Sequence, residues 1–344
     1  MTSTRKLSYD DYTVAWICAL PIEMAAAKIM LDEVHEDLPV LPHDDNTYTL
    51  GRIGKHNVVI AGLPNGKYGN TSATVVAMQL VAGFRSIRFG LMVGIGGGVP
   101  NNDTDIRLGD IVVSKPTGMY GGVVQYDYGK ALNRHFERTG MLNQPPWLIL
   151  TALNKLQSDH LTADSQIPKF LSEMEKKLGQ RAANFAYPQQ EDCLYQADYD
   201  HMGNSKTCEH CDHMKTVLRP PRSHTKPVVH YGLIASGNSV VKDSGLRDWL
   251  SRELSIYCVE MEAAGLMDSF PCVVIRGICD YADSHKNKEW QGYAAATAAA
   301  YAKELLTVIH EKSVTDSRAT LSVTKCELLP RNACNVLCLT MEGV

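Results

Sequence analysis

The stretch Ser255-Ile-Tyr-Cys-Val-Glu-Met-Glu-Ala-Ala-Gly-Leu-Met-Asp-Ser-Phe-Pro-Cys-Val-Val-Ile-Arg-Gly-Ile-Cys-Asp-Tyr-Ala-Asp-Ser-His285 decides how the chain is read. An apolar, helix-favouring run from Met261 to Phe270 carries Glu262 near its start. Pro271 breaks that run, and Cys272 to Ile278 reads as a buried strand that delivers Asp280 at its end. Two carboxylates therefore stand at the mouths of two adjacent core elements. Charges are rare in such apolar surroundings unless they are paired or used. The residues alone leave three readings open: an ion pair, a cap or a chemical role.

The exact string narrows the choice. Val259-Glu260-Met261-Glu262-Ala263, followed by Arg276-Gly277-Ile278-Cys279-Asp280-Tyr281-Ala282-Asp283, resembles the nucleoside phosphorylase/nucleosidase superfamily. The likeness is to its fungal branch, found as lone enzymes and as N-terminal domains of large immune-receptor-like proteins. In motif logic it is similar to the methylthioadenosine/adenosylhomocysteine nucleosidase type. The resemblance implies an α/β fold with three layers, α/β/α, around a central mixed and partly barrel-like sheet. It covers roughly residues 12–310, and matches poorly over 131–226.

Bulk properties agree with a globular domain. The chain has 344 residues, 44% of them apolar and 21% charged. A net charge of −4 gives no electrostatic reason to expect nucleic acid or an anionic membrane as partner. Ten cysteines are spread over a long chain, and Cys18, Cys258, Cys272 and Cys279 sit in apolar runs. Buried thiols in a reducing compartment fit better than a disulfide scaffold. The apolar run Val14–Leu20 is too short to span a membrane, and no signal peptide is visible, so a cytoplasmic protein is expected.

Residues 1–11 read as a polar lead-in, 12–310 as the catalytic domain, and 311–344 as a tail without a functional reading. Val14–Leu20 is a buried strand, and Pro21 suits the first position of a helix from Ile22 to Val34. Glu23 falls in its first turn, where a carboxylate satisfies the helix N-terminus. In nucleosidases of the resembling family a Glu at this place activates the attacking water. A hairpin is expected over 47–60 and an amphipathic helix over 70–84. Phe89–Val93 is a strand running into Gly94-Ile-Gly-Gly-Gly98. That glycine loop fits neither dinucleotide nor phosphate-loop spacing. It reads as a tight strand exit, or as a place where backbone approaches a ligand closely. In the family it lies against the ribosyl group, which places Gly94, Ile95 and Gly96 there.

The family divides at this loop. Bacterial-type phosphorylases hold phosphate there with an Arg and a Ser. This sequence has Met92 and Ile95 at the corresponding positions, and an aliphatic side chain cannot donate to a dianion. The departure favours hydrolysis over phosphorolysis. After Ser236-Gly237 the family lines its base pocket, which implies Asn238, Val240 and Val241; a stacking aromatic is common where Val240 stands. Asp110 reads as structural. The loop 284–290 reads as a solvated turn or a lid over the base, with the turn preferred. An Ala-rich helix over 292–310 closes the domain.

Residues 180–227 form a Cys/His-containing insertion. No metal is required by the chemistry, but Cys208-x-x-Cys211 is half of a zinc pattern, with His213, His201 and Cys193 as possible completions. Arg219 and Arg222 around Pro220-Pro221 could instead make a basic flap.

The resemblance implies this chemistry. Asp280 protonates the purine at N7, Glu262 accepts the ribose hydroxyls, and Met261 packs on the ribose with Glu260 beside it. Glu23 deprotonates or orients water, and Arg276 orients Glu23 or the water. The expected activity is hydrolysis of purine ribonucleosides (adenosine, inosine or guanosine) to free base and ribose, without a cofactor. The alternatives are a phosphate-dependent purine nucleoside phosphorylase and a non-catalytic nucleoside-binding module of an immune-receptor-like system. A homo-oligomer, by preference a dimer, is expected by resemblance alone.

Overall fold

The computed structural model describes residues 7–315, except 43, 102, 134, 204 and 206. The expected tail at 311–344 therefore lies outside the described residues beyond 315, as does the start of the lead-in. The elements in order are β1 (Val14–Cys18), α1 (Pro21–Met30), β2 (Glu33–Val34), β3 (Tyr48–Ile53), β4 (His56–Gly62), α2 (Asn70–Gly83), β5 (Phe89–Gly98), β6 (Ile111–Ser114), β7 (Val123–Gln125), β8 (Gly129–Leu132) and β9 (His135–Arg138). They continue with α3 (Trp147–Thr162), α4 (Ile167–Leu178), β10 (Val229–Ser236), α5 (Ser244–Leu254), β11 (Ile256–Glu260), β12 (Cys272–Asp280), α6 (Gln291–Val308) and α7 (Glu311–Thr315).

The main sheet runs β11-β10-β6-β12-β5-β1-β4-β3-β2, and β11 also pairs with β5. That extra pairing joins β11, β10, β6, β12 and β5 into a ring, so half of the sheet is a closed barrel and half an open wing. The sheet is mixed: β12 runs parallel to β5 and antiparallel to β6. Helices α1, α3, α4 and α6 pack one apolar core against the sheet, and α2 packs the other. The expected three-layer fold with a partly barrel-like sheet is thus observed.

β1 and β12 are buried along their whole length, which is why they read as continuous apolar runs rather than alternating ones. The Ala-rich α6 lies directly on β12. A Cβ at Gly277 would collide with the Ala294 backbone, so a glycine there lets helix and strand approach.

Two local expectations are corrected. Gly94–Gly98 is not a loop; it is the second half of β5, hydrogen-bonded to β12 and then to β11. The run Met261–Phe270 is not a regular helix; only Ala263–Gly265 makes a 3-10 turn. The cause is Glu260, whose carboxylate accepts from Glu262 N at 3.1 Å and Ala263 N at 3.0 Å and bends the chain as it leaves β11.

Candidate active site

The C-terminal ends of β5 and β12 and the start of α1 meet at one end of the barrel. Parallel pairing sets Arg276 beside Gly94 and Asp280 beside Gly97. Gly94 has no side chain because that space belongs to Arg276 Nη1 and Glu23 Oε1, both of which a Cβ would strike. A Cβ on Gly97 would lie 2.9 Å from Asp280 Oδ1. At Gly94 and Gly97 the missing side chain lets charged groups pack against the strand.

Glu23 enters from the first turn of α1. Its Oε2 accepts from Ala19 N at 2.7 Å and Leu20 N at 2.8 Å, and its Oε1 accepts from Ile95 N at 2.8 Å. Burial pushes its pKa up, against the pull of Arg276 and these three N–H groups. Arg276 is fully buried. Its Nη2 donates to Glu260 and lies 3.4 Å from Glu262 Oε2. Burial alone would lower the guanidinium's pKa; Glu260, Glu262 and Glu23 more than reverse that. Arg276, expected to orient Glu23 or the water, packs beside Glu23 over Gly94. Its contacts go to Glu260 and Glu262, and it reaches Glu23 through charge.

Glu262 is held more loosely, with only Gly69 N at 3.4 Å on its other oxygen. Burial pushes its pKa up to about 7; Arg276 opposes this, while Glu260 and Glu23 add to it. Loose contacts leave lone pairs free for further donors. Glu260 differs: its oxygens are taken by Arg276 and the Glu262 and Ala263 amides. It is the anchor of the turn rather than a free acceptor.

Glu23, Glu260, Met261 and Glu262 line one cavity of about 360 Å³ together with Ile95, Gly96, Val240 and Val241. Gly94 lies behind its wall, beneath Glu23 and Arg276. Asn238 is not in the lining; its Oδ1 accepts from Asn70 N at 3.2 Å and ties the loop after β10 to α2. Three further residues of the lining carry chemistry that the sequence reading missed: Tyr68, Lys286 and Lys288. Tyr68 is a half-exposed aromatic, available where Val240 cannot stack. The 284–290 loop is accordingly part of the site wall, not only a solvated turn.

Asp280 does not line this cavity directly. It opens onto a neighbouring one of about 400 Å³, and Cys279 belongs to the walls of both. Asp280 Oδ2 is 2.9 Å from Lys286 Nζ and 3.0 Å from Cys279 Sγ, while Oδ1 accepts from Ala282 N at 2.9 Å. Burial lowers the pKa of Lys286, but Asp280, together with Cys279 and Cys258, more than reverses that. Asp280 thus stands in an ion pair, with Lys286 between it and the Glu23–Glu262 cavity.

The insertion also departs from expectation. Arg219 pairs with Asp192 at 3.1 Å and donates to Tyr281 Oη at 2.9 Å. Arg222 grips both oxygens of Asp110 at 2.6 Å. These arginines clamp the insertion onto the barrel and are not a free basic flap. Asp110, which also takes His230 Nε2 at 2.9 Å and Val228 N at 3.0 Å, is structural as expected. The suggested metal ligands divide into two groups: His201, Cys208 and Cys211 in one, and Cys193 and His213, joined there by Glu191, in the other.

A half-closed mixed sheet with an acidic cavity at the strand ends defines a nucleoside phosphorylase-like domain. The chain belongs to the Phosphorylase superfamily, whose profile matches residues 13–311. It is 48% identical over 314 residues to a nucleotide-binding leucine-rich repeat (NLR)-like protein of the fungus Hyaloscypha variabilis, covering 91% of this chain and 31% of that one. It is 23% identical over 300 residues to ATP nucleosidase Cap17 of Escherichia coli, covering 83% of this chain and 49% of that one. The chain thus spans about a third and about half of these two relatives. In structure it is similar to Helicobacter pylori 5′-methylthioadenosine/S-adenosylhomocysteine nucleosidase, with TM-score 0.54, 16% identity and coverage of 86% and 98% of the two chains. Futalosine hydrolase of the same organism gives TM-score 0.54, 16% identity and coverage of 87% and 99%. Among the described residues, no helix is long and apolar enough to cross a membrane.

Proposed function

We propose that the chain is a purine nucleosidase, hydrolysing the bond between a purine and its ribose with water as the nucleophile. The observation that carries this reading is the pairing of Glu23 and Glu262 in one cavity beside the aliphatic Ile95. A buried carboxylate with raised proton affinity is a competent general base for water. Glu262, with free lone pairs, accepts the 2′- and 3′-hydroxyls and favours positive charge on the ribosyl ring in the transition state. Arg276 is the positioning residue that holds Glu262, directly at 3.4 Å and through Glu260, which ties down the turn. Met92 is buried in the core and Ile95 spends its amide on Glu23, so neither supplies a phosphate donor.

The leaving purine must gain a proton. Asp280 supplies it once Lys286 has swung aside. A purine that takes the place of Lys286 then meets the Asp280 carboxyl directly. Kinship with Cap17 and the presence of Lys288, which has no carboxylate partner among the described residues, support a second reading in which the nucleoside carries 5′-phosphates.

The test is base release in phosphate-free buffer from adenosine, inosine, guanosine, methylthioadenosine, AMP and ATP. Free purine from at least one of them, without added phosphate, is expected. Asp280→Asn should lower kcat by about two to four orders of magnitude with the fold intact. Strict dependence on phosphate would make the protein a phosphorylase. Tight binding without turnover would make it a nucleoside-binding module.

A further inference from the structure

We propose that the insertion holds a structural Zn²⁺ ion, bound by Cys208, Cys211 and His201 with His285 as the fourth ligand. One ligand atom each of Cys208, Cys211 and His201 lies within 4.8 Å of the other two. Zinc–sulfur bonds of about 2.3 Å and zinc–nitrogen bonds of about 2.0 Å place tetrahedral ligands roughly 3.5–3.8 Å apart, so a small contraction closes the triangle. Cys211 N donates to Cys208 O at 3.0 Å, which closes the Cys-x-x-Cys turn.

The histidines carry the argument further. His201 Nε2 lies 3.0 Å from the Thr207 carbonyl. A carbonyl only accepts, so Nε2 bears the proton and the neutral ring keeps its lone pair on Nδ1. A backbone acceptor on the far nitrogen is the usual device for orienting a metal-bound imidazole. His285 is buried, and among the described residues neither of its ring nitrogens has a hydrogen-bond partner; the Asp283 carboxylate is 3.7 Å from Nδ1. Leaving two such atoms unpaired in the interior is costly. The ring stacks on Tyr195 with centroids 3.9 Å apart, and its centroid is 5.7 Å from that of His201. Two imidazoles on one tetrahedral zinc have centroids roughly 5 Å apart. The main chain at the same residue also meets the cluster, since Cys208 Sγ lies 3.7 Å from the His285 carbonyl.

Charge is balanced. Zn²⁺ replaces the two thiol protons, which leave to solvent, and two thiolates with two neutral imidazoles make the site neutral overall. The second group, Glu191, Cys193 and His213, is more exposed and shows no comparable unpaired buried ligand. The zinc would join the insertion to the loop bearing Lys286, the residue that pairs with Asp280. That link already includes His201 N donating to Ser284 Oγ at 3.0 Å.

The experiment is metal analysis of the full chain, purified under reducing conditions without chelator, together with cobalt substitution. About one zinc per chain is expected, and Co²⁺ should give a thiolate charge-transfer band with tetrahedral d–d absorption. Cys208→Ser and Cys211→Ser should lose the metal, Cys193→Ser should keep it, and His285→Ala should weaken it at least about tenfold. If the Ser variants fail to fold, the zinc content and cobalt spectrum of the unaltered chain still decide. A chain that holds no zinc and takes up none on titration, or one that keeps full zinc affinity in the Cys208→Ser/Cys211→Ser double variant, overturns the proposal.

Discussion

The barrel end and the insertion hold their charged residues by different means. At the barrel end, Glu23 is fixed by three backbone amides and Arg276 by two carboxylates, all within the ends of strands and helices. In the insertion, the described residues from 186 to 227 contain one isolated bridge and one 3-10 turn, and are tied down by side chains: Arg219, Arg222, Asp192 and Tyr281. Main-chain ladders fix position cooperatively, whereas side-chain clamps can open one at a time. The barrel end should therefore fail globally, and the insertion locally.

The largest effect is expected from Arg276→Met. Removing one partner of a buried ion pair leaves the others as uncompensated charges and costs about 3–5 kcal/mol. Here Glu260 and Glu262 would both be left, and both have side chains almost out of solvent. Calorimetry should show a single transition lowered by on the order of 10 °C. Adding Glu260→Gln to Arg276→Met should recover part of the loss. Unchanged stability would mean that the two ends are not held differently at all.

A smaller effect is expected from Arg222→Ala. Asp110 would keep His230 and the Val228 and Arg107 amides, so the carboxylate stays satisfied and the loss is about 1–3 kcal/mol, confined to the clamp. Limited proteolysis should cut within 186–227 faster than in the unaltered chain, while the main thermal transition moves little. A large fall in that transition would show that the insertion is integral to the barrel.

The same contrast explains what the sequence could reveal. β1, β5 and β12 are legible because burial on both faces demands unbroken apolar runs, and Glu260-Met-Glu262 is legible because its spacing is unusual in such a context. The strand character of Gly94–Gly98 is hidden because glycine disfavours strands by itself; side chains delivered by distant segments require it there, Arg276 and Glu23 at Gly94, Cys258 at Gly96, Asp280 and Ala282 at Gly97 and Ile278 at Gly98. The turn after Glu260 is hidden because an apolar run carries no sign that a carboxylate will capture its first amides. Tyr68 and Lys286 come from polar loops, where no periodicity marks which side chain turns inward. In the insertion, Cys208-x-x-Cys211 gives the pair, but His213 and His201 look equivalent in sequence, and only the fold sends one toward the thiols and the other toward Cys193.

The smallest effect tests the barrel end by pH alone. Glu262 must be ionised to accept the ribose hydroxyls, and its pKa is pushed up to about 7, by burial first. In the proposed reaction, kcat/KM should rise about tenfold per pH unit below about 7 and level off above it, since that ratio reports the free enzyme. Stability should move the other way. A carboxyl whose folded pKa lies above its unfolded value binds its proton more tightly in the folded state. Its contribution is complete below the unfolded pKa, near 4.3, and is lost as pH rises through about 7. Glu23, raised in the same direction, adds to this slope. Denaturant midpoints should therefore fall between about pH 4.5 and 7 as activity climbs, and Glu262→Gln should flatten part of that fall. Rising stability over the same interval in the unaltered chain, with no flattening in the variant, would mean that Glu262 is already ionised and firmly paired. The barrel end would then have no loosely held acceptor to offer a sugar.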